Sequence, residues 1–208
     1  MTTPKKYKAA PKFGLCLDWE TSGSTWGEMQ YAKDWQGLSF GAVIFDFKTL
    51  SPIETLYREI KYYPNGPAGD KNWGWSMEAQ NIHGLTREYL EKHGVEHEEA
   101  ACDLGSLILE YFGPKAYIPF LGHNRNFDEA FTRQLLEPYG IMPGLFHVHM
   151  DTSGLALLTL GVYRSDDLFD FLGLEERAEH NALTDALYTL ESAKRIRQFV
   201  NIGLYGEE

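Results

Sequence analysis

Three apolar segments near the amino terminus, at about 13–20, 38–46 and 53–62, have the length and composition of β-strands. The gap between the second and third is too short for a crossover helix, so the three read as an antiparallel meander. From Ser76 the rhythm changes. Helical patterns cover 76–92, with caps at Ser76 and Thr86, and 97–112, with apolar positions at Leu104, Leu107, Ile108 and Tyr111. A short strand at 116–121 then leads into a helix to about Glu137, and a strand at 145–150 into a helix to about Leu160. A helical turn at 167–172 and a long helix over 180–201 finish the chain. Strand–helix alternation implies parallel strands with covering helices. The expectation is therefore an α/β fold: a mixed sheet, meander plus parallel strands, flanked by helices.

No repeat, low-complexity run or linker interrupts the 208 residues, which suit one domain over 13–208. Residues 1–12 carry Lys5, Lys6, Lys8 and Lys12 without periodicity and read as a flexible basic arm, a solvated tail more readily than a phosphate-contacting one. An apolar content of 43% argues against a disordered chain. No apolar run is long enough to span a bilayer, and the first residues lack the core of a secretory signal, so no membrane association is expected. Cys16 and Cys102 both sit among apolar neighbours and read as buried thiols of a reducing, cytoplasmic compartment.

Net charge is −11, which opposes non-specific binding to a polyanion. The objection weakens for an enzyme whose acids hold metal ions. Aromatics crowd two connections: Trp26, Tyr31 and Trp35 in 21–37, and Tyr62, Tyr63, Trp73 and Trp75 around 63–75. Such rings either stack on bases or pack their loop down, the second being commoner. His93 and His97 are four apart, a metal-ligand spacing on a helix. Gly94 between them and the glutamates that follow favour a solvated face.

The chemistry-bearing stretch is Leu15-Cys16-Leu17-Asp18-Trp19-Glu20-Thr21-Ser22-Gly23. On a strand, Asp18 and Glu20 project from one face and Leu17 and Trp19 from the other. Neighbouring carboxylates repel unless a cation lies between them, and Mg²⁺ or Mn²⁺ prefers such oxygen ligands. The same pair is also compatible with solvated charges at a strand end. Asp128 opens the helix after the fourth strand, and Asp185 lies one turn into the last helix. His180 is five residues earlier, which is not one helical face, so it belongs at or just before the helix start.

Taken together these stretches resemble the DnaQ-like 3′–5′ exonucleases, the DEDDh branch of the RNase H-like superfamily. Asp18-Trp19-Glu20-Thr21-Ser22-Gly23 is similar to the family's Asp-x-Glu-Thr-[Thr/Ser]-Gly. His123-Asn124-Arg125-Asn126-Phe127-Asp128 is similar to His-Asn-x-x-Phe-Asp, and His180-Asn181-Ala182-Leu183-Thr184-Asp185-Ala186 to His-x-Ala-x-x-Asp-Ala. Ile82-His83-Gly84-Leu85-Thr86 and Asp151-Thr152 agree as well. The resemblance runs from about Phe13 to Arg197.

It implies an RNase H-like sheet and a two-metal site in which Asp18, Glu20, Asp128 and Asp185 hold two Mg²⁺ or Mn²⁺ ions and His180 is the general base. It also implies substrate contacts from Trp19, Thr21, His83, Asn124, Phe127 and His180, although the Trp19 ring should face away from the metals. The activity implied is 3′–5′ hydrolysis of single-stranded nucleic-acid ends, DNA first and RNA the closest rival, releasing nucleoside 5′-monophosphates. Any polymerase partner would be a separate chain. The rival class is a non-catalytic nucleic-acid-binding domain on the same fold, which loss of any of the five residues would favour; all five are present.

Overall fold

The computed structural model describes residues 10–24, 31–114, 117–141, 144–174 and 180–205. Strands β1 (Phe13–Thr21), β2 (Gly37–Asp46), β3 (Ser51–Glu59), β4 (Tyr117–Gly122) and β5 (Gly144–Asp151) form one sheet in the order β3-β2-β1-β4-β5. The pairs β1–β2 and β2–β3 are antiparallel, while β1–β4 and β4–β5 are parallel. The mixed sheet expected from the strand rhythm is the one that forms. Its helices are α1 (Tyr31–Asp34), α2 (Met77–His83), α3 (Arg87–His93), α4 (His97–Phe112), α5 (Arg125–Leu136), α6 (Thr152–Leu160), α7 (Ser165–Phe171) and α8 (Ala182–Tyr205).

Period-2 alternation divides the core between the two faces of the sheet. Leu15, Leu17 and Trp19 join Phe40, Ala42 and Ile44 beneath α4 and α5. Cys16, Val43, Phe45 and Leu121 face the other way and pack on Ala186, Leu190 and Ala193 of α8. Burial on both faces explains why β2 reads as a nearly unbroken apolar run. Edge strand β3 has no buried residue and carries Pro52, Glu54, Arg58 and Glu59, residues that discourage further strand pairing.

Four sequence expectations need correcting or fall outside these residues. Strand β3 ends at Glu59 rather than continuing to residue 62: Ile60 keeps one bond to β2, its N–H donating to the Leu38 carbonyl at 2.7 Å, and bridges in parallel to Val95. Cys102 is exposed, unlike Cys16: its apolar sequence neighbours Ala100, Ala101 and Leu104 point inward from α4, and a helix turns the residue between them outward. His97 is buried and not on a solvated face. It opens α4 while His93 ends α3, so the two share no helix, and its ring lies beside Trp73 and Tyr139. The basic arm lies outside the described residues except for 10–12, as does Trp26.

The second aromatic loop is packed down. Trp73 is buried, Tyr62 donates its hydroxyl to the Trp73 carbonyl, and Trp75 Nε1 donates to Gln80 Oε1 at 3.0 Å. The two connections also meet, since a Cβ on Gly23 or Gly74 would come within 2.4 or 2.7 Å of the Trp35 ring.

Candidate active site

The site is assembled at the carboxyl end of β1, on the sheet face that carries α8. Asp18 and Glu20 share that face as their spacing requires, and lie opposite Gly41 and Ser39 of β2. The pairing of β1 with β4 is limited to Leu15–Phe120 and Cys16–Leu121. Beyond it the Trp19 backbone N–H is given to the Asp128 carboxylate, one turn into α5.

Helix α8 brings the other two groups. Asn181 Oδ1 accepts from the N–H groups of Leu183 and Thr184 at 3.1 and 3.3 Å, an N-cap that starts the helix at Ala182. His180 is then the residue before the cap and Asp185 the fourth residue of the helix. Side chains at those two places meet across a helix start, as in a hydrophobic staple. His180 Nδ1 lies 3.5 Å from Asp185 Oδ2, an electrostatic contact longer than a short hydrogen bond. Five residues apart is not one helical face, yet the cap closes the distance.

Ligand atoms of Glu20, His180 and Asp185 all lie within 4.8 Å of one another. That group of three does not include Asp18 or Asp128. Asp18 lines the same cleft, of about 180 Å³, with Glu20, His123, Phe169, His180 and Asp185. Asp128 is 2% exposed, and among the described residues its Oδ2 has no hydrogen-bond partner. Burial pushes its carboxyl well above the usual carboxylate range, and the Asp151 and Glu20 charges add to the push. A carboxylate so placed is costly unless a cation compensates it, so the donor set fits a hard divalent ion. Burial, then the charges of Asp18 and Asp128, also raises the Cys16 thiol, which donates to the Ala186 carbonyl and stays a neutral packing group.

The expected substrate contacts divide. Trp19 is among the residues lining the cleft, and its ring is buried, donating from Nε1 to Thr132 Oγ1 at 3.0 Å and packing on Phe40 and Phe131, so that it braces β1 against α5. Thr21 spends its hydroxyl on the Gly23 carbonyl. His83 Nδ1 accepts from Leu85 N–H at 3.0 Å, which leaves Nε2 to donate to the Thr21 carbonyl at 3.2 Å. Both its ring nitrogens are thus bound by backbone. Phe127 packs edge-on against Phe131, while Asn124 is exposed at the cleft end of β4 in a left-handed conformation (φ 62°).

Sequence reasoning did not find the neighbouring pocket of about 300 Å³. It shares Glu20, His83 and His180 with the site and adds Tyr57, Glu59 and Tyr89. Tyr57 and Glu59 are on β3 and Tyr89 is on α3. The period-2 spacing of Tyr57 and Glu59 was the available signal; what brings Tyr89 to them is tertiary.

The strand order and the mixed pairing match the RNase H-like fold of exonucleases. Solved structures similar to this chain include several of exonuclease I. A structure of exonuclease I that suggests how processivity is achieved superposes with a TM-score of 0.70 at 18% identity, over 90% of this chain and 41% of that one. The zinc-ion-bound form of the E. coli ExoI–ssDNA complex gives 0.69 at 19%, over 91% and 41%. A moderately thermophilic exonuclease I from Methylocaldum szegediense gives 0.68 at 19%, over 89% and 40%. The chain thus spans about four-tenths of the length of these proteins, and at this identity the likeness is one of fold. Exonuclease I has also been solved with dA16 and dT13 oligonucleotides and in an ExoI/SSB-Ct complex. No protein-family model and no curated protein matches the chain by sequence. Among the described residues no helix is long and apolar enough to cross a membrane.

Proposed function

We propose that the chain is a metal-dependent 3′–5′ exonuclease acting on single-stranded DNA ends and releasing nucleoside 5′-monophosphates. The observation that carries this reading is the convergence of Glu20, His180 and Asp185 within 4.8 Å in a cleft shared with Asp18, on this fold. Asp18, Glu20, Asp128 and Asp185 would hold two Mg²⁺ or Mn²⁺ ions. Such ions lower the pKa of a bound water and stabilise the attacking and leaving oxygens of phosphodiester hydrolysis.

His180 is the base. Its Nδ1 side is turned toward Asp185, so Nε2 is the nitrogen that takes the proton of the attacking water. Asp185 orients the ring. The end of β1 is held by two side chains, the Thr21 hydroxyl on the Gly23 carbonyl and the His83 ring on the Thr21 carbonyl. The 300 Å³ pocket beside His180 is open to the terminal nucleoside. DNA as substrate is supported by the oligonucleotide complexes of exonuclease I.

The test is digestion of 5′-labelled single-stranded DNA and RNA of one sequence with Mg²⁺ or Mn²⁺. A ladder shortening from the 3′ end is expected, faster on DNA and slowed by a 3′-terminal phosphate. Immediate release of the labelled 5′ mononucleotide would overturn the reading. Faster cutting of RNA would replace the DNA assignment with an exoribonuclease.

A further inference from the structure

Asp151 lies outside the five residues assigned above, yet it ends β5 opposite Gly122, at the strand end where α5 begins. That alignment depends on an irregularity. Leu145 pairs with Ile118 and Val148 with Pro119, so residues 146–147 of β5 have no partner on β4 and Asp151 is drawn back level with Gly122. Pro119 has no N–H to give a ladder and is accommodated at this bulge.

The two Asp151 carboxylate oxygens serve different helices. Oδ1 accepts from Ser153 N–H at 2.9 Å and Gly154 N–H at 3.3 Å, capping α6, and from the Ser153 hydroxyl at 2.5 Å. Oδ2 accepts from Arg125 N–H, the first of α5, at 2.8 Å. Helix α5 needs this outside acceptor, because Asn124 preceding it is left-handed and makes no side-chain cap. Asp128 is in the first turn of that helix, close enough that a Cβ on Gly122 would lie 3.0 Å from its Oδ2. A change in where α5 starts therefore moves Asp128 directly.

We propose that Asp151 is a positioning residue that caps α5 and α6 with one oxygen each and so sets the affinity of the site for divalent cations through Asp128. The inference rests on the reading of Asp128 as a cation ligand. Only a carboxylate of this length offers two acceptors here. Asn would turn an N–H₂ group toward either Arg125 or the α6 amides, and Ser keeps a cap for α6 while lacking the second oxygen.

The experiment is calorimetric titration of Mn²⁺, without nucleic acid, into the native protein and the variants Asp151→Ser, Asp151→Asn and Asp128→Asn, at a temperature where circular dichroism shows each to be folded. Loss of an outer partner of a ligand weakens metal binding by about 10–100-fold. Both Asp151 variants are expected to lose affinity in that range. Native affinity in both, with binding lost in Asp128→Asn, would show Asp151 to be a helix cap only and overturn the proposal. Native affinity in Asp128→Asn as well would overturn the ligand reading beneath it. Asp151→Asn keeps the test decisive if Asp151→Ser does not fold.

Discussion

Gly41 lies directly across the β1–β2 ladder from Asp18, and the backbone of Leu183 fills the space a side chain at 41 would need. A Cβ there would be 2.2 Å from Leu183 Cα and 2.3 Å from its N. This contact seats the first turn of α8, and with it Asp185, against the strand that carries Asp18 and Glu20. The obstacle is backbone, so no rotamer change relieves it. Gly41→Ala should destabilise the protein by at least about 1–3 kcal/mol, the usual cost of overpacking, and abolish cleavage. Urea unfolding and the digestion assay read the two effects. Native stability with full activity would mean that α8 is not so closely seated.

The acidic site should register in thermal stability. Ions that bind only the folded chain raise its melting temperature as their concentration exceeds the dissociation constant. Millimolar Mg²⁺ or Mn²⁺ is expected to raise the native melting point, and Asp18→Asn to lose most of that increment together with activity. An undiminished increment in Asp18→Asn would remove Asp18 from the ligand set.

His180 is separable from the carboxylates. Removing a general base costs about 10²–10⁴-fold in rate, whereas ions held by other side chains remain. His180→Ala is expected to keep the metal-dependent rise in melting point, to bind a single-stranded oligonucleotide, and to cut it within that range more slowly. Near-native cutting would exclude His180 as the base.

His97 makes the fold acid-sensitive at a place remote from the chemistry. Burial lowers its pKa to about 4, while an imidazole in the unfolded chain titrates near 6.5. Between those values the unfolded state binds the extra proton. The stability contributed by the neutral ring is complete above pH 6.5 and is lost as pH falls toward 4, on the order of 3 kcal/mol in all. His97→Phe should flatten the dependence of unfolding free energy on pH over that window. An unchanged slope would show that His97 is already protonated in the fold.

Local pattern made much of this legible. Leucine and phenylalanine spacing marked most strand and helix cores, and Ser76 and Thr86 cap helices as their side chains suggested. The Asp18–Glu20 face follows from strand period alone. What spacing did not reveal depends on contacts between residues distant in the chain. His97 is buried by Trp73 and Tyr139, and Cys102 is exposed because α4 turns it away from its apolar neighbours.

The five catalytic candidates were therefore chosen by sequence, because a strand's two-residue repeat and the order of motifs along the chain are local properties. The convergence of Glu20, His180 and Asp185 was decided by tertiary structure. It needed the absent side chain at Gly41 and the Asn181 cap that folds His180 back onto Asp185. Each of these is a backbone N–H satisfied or a steric space left open once the elements pack. Neither is a property of any single segment read alone.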